Sequence, residues 1–334
     1  MEAIRVEAGA RLAKARLSLA RRWALPAGVL VLLIGCPLVL PQYLLSLLTE
    51  VLIFGIFAMS LDLLLGYTGL VSFGHAAFFG VGAYTAGLAA IRLSPHLGVT
   101  LPLALGAAAL AALVIGYLCI RTAGIYFLML TLAFAQVLYA VAFKWTPVTG
   151  GSNGLSGIPR PTLGLVPGGG ELADPIRFYF FVLLIFLLVY YGLRRVVNSP
   201  FGHTLVGIRE NEGRMRAIGY DVARYKLAAF VLAGVLAGLA GALNTYLNVF
   251  ASPAQLNWTT SGQVLVMVII GGAGTLIGPV LGAALVLLLQ NLVSTHTDRW
   301  PMIMGAVFII FVLLARFGIV GIWDRLVARL ARRA

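Results

Sequence analysis

Long apolar stretches alternate with short polar or glycine-rich segments along most of this chain. Because roughly 20 apolar residues form a helix that crosses the hydrocarbon core of a bilayer, this alternation predicts an all-α, polytopic membrane helix bundle with about ten transmembrane helices. The predicted spans lie near residues 24–41, 44–66, 70–91, 99–119, 122–143, 176–193, 227–250, 262–277, 279–294 and 301–318.

The two predicted spans between residues 262 and 294 are separated only by a glycine-rich segment. Glycine and proline at such positions favour either a tight turn between two helices or a break within one helix. The residues concerned are Gly271, Gly272, Gly274, Gly278 and Pro279.

The composition agrees with a membrane protein and excludes an ordinary soluble domain. Hydrophobic residues make up 61% of the 334 residues and charged residues only 10%, whereas soluble domains carry about 25% charged residues. The net charge of +13 comes from Lys and Arg that flank the spans, so we expect no nucleic-acid partner. Cys36 and Cys119 lie in apolar stretches, which favours packed thiols over a disulfide or a metal site.

The distribution of Lys and Arg predicts the orientation of the chain. If the basic tail 1–23 is cytoplasmic, 19 of the 24 Lys and Arg residues lie on the cytoplasmic side and 5 on the other. Positive residues favour the cytoplasmic side, so the count predicts an even number of spans with both termini in the cytoplasm. The predicted organisation is a tail at 1–23, a transmembrane domain at 24–318 and a basic cytoplasmic tail at 319–334.

Residues 144–175 are rich in Gly and Pro and are predicted to form an extracytoplasmic loop with little regular structure. This loop divides the predicted spans into two halves of about five each. An odd number of spans in each half would give the halves opposite topologies, as in transporters built from inverted repeats. Two inverted halves are therefore a hypothesis for this chain.

The most polar part of the chain between predicted spans is the segment 194–226, which holds seven of the 24 Lys and Arg residues. Ser199 and Pro200 predict a helix start, and Gly213 predicts its end. The spacing of Phe201, Leu205 and Ile208 gives that helix one apolar stripe.

This amphipathic helix has two interpretations. Basic amphipathic helices commonly lie on lipid headgroups, and the pattern alone favours neither this nor a protein contact. Glu210 and Glu212 weaken the lipid interpretation, because anionic lipid would repel them.

Residues 61–84 form a second unusual segment, with glycines at positions 66, 69, 74, 80 and 82. Glycines in a membrane helix allow close backbone approach or a break that frees backbone groups for a ligand. Asp62 and His75 are ionisable groups near membrane depth, which marks a candidate functional site. The alternative is tight packing with internally satisfied polar groups. A serine protease site at Ser72 and His75 would lack an identifiable third group.

One nucleotide-binding motif is absent from the sequence. None of the three lysines, Lys14, Lys144 and Lys226, lies in a phosphate-binding G-x-x-x-x-G-K-[ST] loop. If ATP drives this protein, another chain must hydrolyse it.

Five stretches of the sequence together resemble one family, the M-type permease of branched-chain amino-acid ABC importers. They occur in order over roughly residues 45–315. The stretches are LLLGYTGLVSFGHAAFFGVGAYTAG (63–87), GIYFLMLTLAFAQ (124–136), TGGSNGLSGIP (149–159), SPFGHTLVGIRENEGRMRAIGYDVARYKLAAFVLAGVLAGLAGAL (199–243) and GGAGTLIGPVLGAAL (271–285). Related permeases for urea and other small solutes share much of this pattern.

The resemblance implies a transport subunit rather than an enzyme, in a bacterial cytoplasmic (inner) membrane. Its expected partners are a second homologous permease, two ATP-binding cassette subunits that bind ATP and Mg, and an extracytoplasmic amino-acid-binding protein. The chain itself is expected to hold no cofactor. The segment 194–226 would be the coupling loop that docks on an ATPase. The implied coupling residues are Phe201, Arg209, Glu210, Asn211, Glu212 and Gly219, and His203 stands where the family usually has Arg.

Transport by alternating access would require an apolar path with a few polar contacts for a zwitterion. The candidate path residues are Ser72, His75, Phe78, Phe79, Tyr84, Phe127, Gln136 and Asn244. Replacing both Glu210 and Glu212 with Lys is expected to uncouple ATP hydrolysis from transport. The alternative of a secondary transporter without an ATPase would need carboxylates inside the membrane, for which Glu50 and Asp62 are the candidates.

Overall fold

The fold is that of a computed structural model, which describes residues 28, 31–37, 40–163, 172–297, 299, 302–303, 305–309, 318–319 and 321. The chain divides into two units, Met1–Ser46 and Leu47–Ala334. In the first unit the described residues include a helical stretch at 31–37 and the first residues of a helix that begins at Gln42.

Helices dominate the described residues, whose β pairing is limited to the isolated bridges His96–Thr162 and Leu155–Ala251. A π-helix, Leu63–Thr68, extends the first helix, and 3-10 turns lie at Gly151–Asn153 and Pro253–Leu256. The α-helices are α1 (Gln42–Asp62), α2 (His75–Arg92), α3 (Leu97–Cys119), α4 (Ile125–Lys144), α5 (Thr146–Thr149), α6 (Pro175–Val197), α7 (Pro200–Glu210), α8 (Glu212–Ala217), α9 (Val222–Asn248), α10 (Trp258–Gly271) and α11 (Ile277–Ser294).

Six helices are long and apolar enough to cross a membrane, which confirms the predicted polytopic helical bundle. These are α1 with its π-helical extension, α3, α4, α6, α9 and α11. The apolar helix α10 has 14 residues, or about 21 Å at 1.5 Å per residue, against about 30 Å of hydrocarbon. The predicted span 262–277 begins four residues later and ends six residues later than this helix, Trp258–Gly271. The predicted spans 24–41 and 301–318 fall partly outside the described residues.

The glycine-rich segment between α10 and α11 forms a tight turn rather than a break within one helix. Gly272 and Gly274 adopt positive φ angles of 113° and 82°, which a residue with a side chain rarely adopts. A Cβ atom on Gly282 of α11 would overlap the backbone of Met267 of α10. The two helices therefore pack backbone against backbone after the turn.

Helix α2 lies at the centre of the packing, against α3 and α9. Most of its residues are buried, including the polar His75. Helix α2 can carry a polar side chain such as His75 because it is surrounded by protein and not by lipid.

Small residues allow α9 to approach α2 and α3 closely. A Cβ atom on Gly241 would overlap the carbonyl of Phe79 in α2, and one on Gly238 would overlap the Ala108 side chain in α3. On the α2 side, a Cβ atom on Gly82 would lie 2.5 Å from the Gly238 Cα. This contact provides the tight packing that membrane helices need in the absence of a hydrophobic driving force.

Replacing Gly241 with Ala is expected to lower the free energy of unfolding by about 1–3 kcal/mol, the usual effect of overpacking a close contact. Gly106 of α3 is the matched control, because nothing lies within 4 Å of a Cβ atom placed there. Gly106→Ala is expected to be neutral or to stabilise by up to about 1 kcal/mol through helix propensity. Thermal unfolding of the detergent-solubilised variants measures both, and an equal effect at the two positions would contradict the packing explanation.

The loop that follows α4 packs over one end of the bundle. Leu155 donates its backbone N–H to Ala251 at 2.7 Å and accepts the Ala251 N–H at 3.1 Å. Ile158 joins Tyr84 and Leu256 in a small buried cluster. The described part of the predicted loop 144–175 is therefore short helical turns and extended chain held to the bundle, and residues 164–171 lie outside the described part.

Candidate functional site

Three capping side chains shape the segment 194–226 into two short helices between two long ones. Ser199 accepts from the Gly202 N–H and starts α7, which confirms the predicted helix start. Asn211 accepts from the Arg214 N–H at 2.9 Å and starts α8, and Asp221 accepts from the Arg224 N–H at 3.2 Å and starts α9. These oxygens satisfy N–H groups that have no partner inside the helix.

Two boundaries of this segment differ from the prediction. Helix α7 ends at Glu210, not near Gly213, because Asn211 takes an extended conformation (φ −158°, ψ 97°) in order to cap α8. Residues 194–197 belong to α6 and residues 222–226 to α9. The part outside the long helices is therefore 198–221.

The apolar stripe of α7 faces the protein itself. Leu205 and Ile208 are buried, and α7 packs against the π-helix and α9. The Phe201 ring stacks on the Tyr225 ring with centroids 5.6 Å apart. An amphipathic helix that lies on headgroups needs a free apolar face, and this stripe is already used within the chain.

Glu212 is bound within the segment. Its carboxylate accepts from the Lys226 ammonium at 2.6 Å and from the Arg216 guanidinium at 2.5 Å. The Lys226 side chain is only 6% exposed, so this pair joins α8 to the start of α9. Partial burial alone would raise the pKa of Glu212, but the hydrogen bonds and positive charges of Lys226 and Arg216 outweigh it and lower that pKa.

Arg209, in the last turn of α7, is an exposed residue whose guanidinium reaches the π-helix. Its Nη1 donates to the carbonyl oxygen of Gly66 in the π-helix. Asp62, four residues before Gly66, accepts the Gly274 N–H on Oδ1 at 2.7 Å. Its other oxygen, Oδ2, is buried and has no hydrogen-bond partner in the described structure.

Glu210 is exposed, as Arg209 and Asn211 are, but unlike theirs its side chain makes no hydrogen bond or ion pair with a described residue. Gly219 lies in the turn between α8 and α9 with φ 94°, and nothing lies within 4 Å of a Cβ atom placed there. Its role is therefore conformational. Two exposed apolar side chains flank it, Ile218 at 63% and Tyr220 at 41% exposure. Sequence reasoning missed both, although apolar side chains in so polar a segment were a usable signal.

Several candidate path residues form an aromatic core. Phe78, Phe79 and Phe127 are at most 1% exposed. The ring centroids of Phe78 and Phe127 lie 5.4 and 6.0 Å from that of Phe230, and the Phe79 ring lies 4.6 Å from Phe57. In this conformation these side chains pack against one another, and their assignment to a path stays a prediction.

His75 belongs to the same core. The Ser60 hydroxyl donates to the Phe57 carbonyl at 2.7 Å, so it must accept from His75 Nε2 at 2.8 Å. This fixes His75 as the tautomer with the proton on Nε2. Ser72 is occupied elsewhere, where it accepts the Gly74 N–H at 3.2 Å. The structure therefore does not form the Ser72–His75 hydrolytic pair.

The remaining candidates include buried polar atoms without partners. The Tyr84 hydroxyl and Gln136 Nε2 have no hydrogen-bond partner among the described residues, and neither does Gln255 Oε1, which the sequence did not single out. Asn244, in contrast, accepts from Asn248 at 3.0 Å. Tyr84, Gln136 and Gln255 lie on α2, α4 and the 3-10 turn Pro253–Leu256, and these three elements pack together.

The described chain is thus a multi-pass helical membrane protein with a structured helical loop between α6 and α9. Residues 43–314 match the model of the family described as branched-chain amino acid transport system, permease component. The chain belongs to this family, which confirms the resemblance inferred from its motifs.

Individual relatives agree with the family match. The chain is 29% identical over 304 residues to the high-affinity branched-chain amino acid transport system permease proteins LivM of Salmonella typhimurium and Escherichia coli, covering 85% of this chain and 72% of each relative. It is 25% identical over 289 residues to a probable LivM of Methanocaldococcus jannaschii, covering 76% of this chain and 82% of the relative. No solved structure matches the chain.

Proposed function

We propose that this protein is the membrane-spanning permease subunit of an ATP-driven importer that moves branched-chain amino acids by alternating access. The observation that carries the proposal is the family match over residues 43–314. The lack of a phosphate-binding loop in the sequence supports ATP hydrolysis on separate subunits. Ligand and nucleotide would shift the population between two conformations through their different affinities for each.

The proposed assembly contains a second homologous permease, two ATP-binding cassette subunits that bind ATP and Mg, and an extracytoplasmic amino-acid-binding protein. The membrane is the bacterial cytoplasmic membrane, with both termini in the cytoplasm. The excess of Lys and Arg around the segment 194–226 and the chain ends supports this orientation.

The docking surface for an ATPase is proposed to include the exposed side chains of Glu210, Ile218 and Tyr220. Five of the six implied coupling residues are engaged in internal contacts or turns, which leaves Glu210 as the one available for a partner. Tyrosine is enriched at protein interfaces, which supports a docking role for the exposed Tyr220.

Reconstitution in proteoliposomes tests the proposal. Vesicles that contain both permeases and both ATPase subunits are supplied with the binding protein, ATP and radiolabelled leucine. We expect the uptake to depend on ATP. We expect isoleucine and valine, but not urea, to compete with leucine for this uptake. Uptake that needs no ATPase subunit would favour a secondary transporter, and competition by urea alone would assign the chain to a small-solute permease.

The polar contacts of the substrate are proposed to come from Tyr84, Gln136 and Gln255. An amide N–H suits the carboxylate of an amino acid, an amide oxygen suits its ammonium group, and a hydroxyl suits either. Buried polar atoms without partners cost about 1–3 kcal/mol each, so a ligand that pairs with them gains affinity.

Tyr84→Phe is expected to raise the substrate concentration for half-maximal uptake by about tenfold, the effect of one lost hydrogen bond of about 1.4 kcal/mol. The same variant is expected to keep or raise the unfolding temperature, because the hydroxyl bonds to no described residue. Tyr139→Phe is the control, since Tyr139 packs against the same cluster. A variant that loses stability and uptake together would show that the hydroxyl is structural.

A further inference from the structure

Three segments far apart in sequence meet at Gly66. They are the end of α7, the π-helical end of α1 and the turn between α10 and α11. A Cβ atom on Gly66 would overlap both Asp62 Oδ1 and the Gly274 backbone nitrogen. No other residue type fits here without displacing the turn.

The π-helix explains why the Gly66 carbonyl is available to Arg209. The chain leaves the helix at Gly69, which adopts φ 77°, and the N–H groups of Gly69 and Leu70 both reach back to the Leu64 carbonyl. The Gly66 carbonyl near a helix end therefore needs a partner from outside the helix, and Arg209 supplies it. A Cβ atom on Gly69 would lie 2.8 Å from Arg209 Cγ, so this glycine makes room for the arginine stem.

Asp62 and Arg209 both have unused hydrogen-bonding capacity. Asp62 is fully buried, with one oxygen on Gly274 and the other free in the described structure. Arg209 carries five N–H donors, and its side chain donates one hydrogen bond in the described structure, to Gly66. The two side chains lie close together around Gly66 and Gly274. A Cβ atom on Gly66 would overlap Asp62 Oδ1, and one on Gly274 would lie 3.6 Å from Arg209 Nη1. They form no direct ion pair in the described structure.

We propose that Arg209 and Asp62 are the positioning residues through which movement of α7 reaches the bundle. In the conformation described here Arg209 binds the Gly66 carbonyl, and in the second conformation its guanidinium pairs with the free oxygen of Asp62. Because Asp62 also binds Gly274, the exchange moves the α10–α11 turn together with the π-helix. Arg209 thus acts inside the permease and does not contact the ATPase.

This inference rests on the proposed function, and three variants test it in the assembled importer. Arg209→Met removes both proposed contacts of Arg209, the one with the Gly66 carbonyl and the one with Asp62. Asp62→Asn keeps an oxygen for the Gly274 N–H and removes the charge that Arg209 would pair with. Arg209→Lys keeps a positively charged donor for both the Gly66 carbonyl and the Asp62 carboxylate. The measurements are copurification of the ATPase subunits, basal ATP hydrolysis, and the number of substrate molecules transported per ATP.

Arg209→Met and Asp62→Asn are each expected to lower transport per ATP at least about tenfold, while the ATPase subunits still copurify and hydrolyse ATP at the basal rate. The double variant is expected to be no worse than either single variant, because residues that act as one unit are not additive. Arg209→Lys is expected to recover at least about half of the wild-type transport, since it keeps the charge.

Two results would overturn the inference. Wild-type transport by Asp62→Asn would show that the carboxylate charge is not used. Loss of the ATPase subunits from Arg209→Met would make Arg209 a docking contact. ATP-independent uptake by the wild-type importer would instead refute the proposed function and would be seen without any variant.

Discussion

Replacing Glu210 with Lys will abolish substrate-stimulated ATP hydrolysis in the assembled importer, with uptake reduced at least about tenfold. Glu210 is exposed at the end of α7 and makes no hydrogen bond or ion pair with a described residue, so its reversal leaves the fold intact. Reversing a charge that faces a complementary partner costs several kcal/mol in binding, which is enough to separate the subunits or to prevent their coupling. Uptake and ATP hydrolysis in proteoliposomes measure the effect.

Arg121→Glu is the control for this variant. Arg121 is exposed and lies between α3 and α4, on the side assigned to the cytoplasm, where its guanidinium contacts Tyr117. Its reversal is expected to leave coupling unchanged. Equal loss in both variants would indicate a general electrostatic effect on the cytoplasmic face, and normal uptake by Glu210→Lys would remove Glu210 from the docking surface.

Glu212→Gln will lower the free energy of unfolding by about 1–3 kcal/mol, because the amide keeps an oxygen for the Lys226 ammonium but loses the charge that balances it. The Lys226 side chain is 6% exposed, so its charge is buried. Because the effect is on stability, a combined reversal of Glu210 and Glu212 would not isolate coupling, and the two positions must be tested separately. Thermal unfolding in detergent gives the measurement.

Two further variants test whether the Glu212–Lys226 pair stabilises the fold: one that also removes Lys226, and one that breaks an exposed ion pair as a control. Glu212→Gln with Lys226→Met is expected to be more stable than Glu212→Gln alone, because the ammonium without a balancing charge is gone. Arg224→Met breaks the exposed pair with Asp221, whose side chains are 87% and 51% exposed, and is expected to cost at most about 1 kcal/mol. If Glu212→Gln costs no more than Arg224→Met, the buried pair does not hold α8 to α9.

The same pair gives a dependence on pH. The pKa of Glu212 is lowered from its ordinary value of 4.5 in the folded protein, so its contribution to stability is present above that value. The contribution is lost as the pH falls through the folded pKa and Glu212 becomes protonated. The difference in unfolding temperature between wild type and Glu212→Gln is therefore expected to shrink on acidification below about pH 4.5. A constant difference across this range would contradict the assigned ion pair.

The sequence predicted the long apolar helices of the described bundle and the start of α7, because those features depend on neighbouring residues. A long run of apolar residues predicts a membrane-spanning helix without knowledge of what it packs against. The helix start at Ser199 depends on a hydrogen bond to the Gly202 N–H, only three residues along the chain. The end of α7 was predicted less well. Gly213 is a common helix terminator, but the preference of Asn211 for capping α8 decided the boundary.

The sequence could not separate the roles of Arg209, Glu210, Asn211 and Glu212, which look equally exposed on a short polar helix. The partner of Arg209 lies 143 residues away and that of Glu212 lies 14 residues away. The contact between Asp62 and Gly274 spans 212 residues. Such pairings depend on how the long helices pack, which no local pattern encodes.

The sequence by itself thus determined the membrane class, the placement of most spans, the family and the position of the segment 194–226 between two spans. These follow from local hydrophobicity, capping chemistry and motif order. Only the tertiary structure decided that Arg209 and Glu212 bind other parts of the chain while Glu210 contacts no described polar partner. It also decided that Tyr84, Gln136 and Gln255 keep buried polar atoms that no described residue pairs with. The physical reason is that a polar side chain becomes available for function only when long-range packing leaves it without a partner.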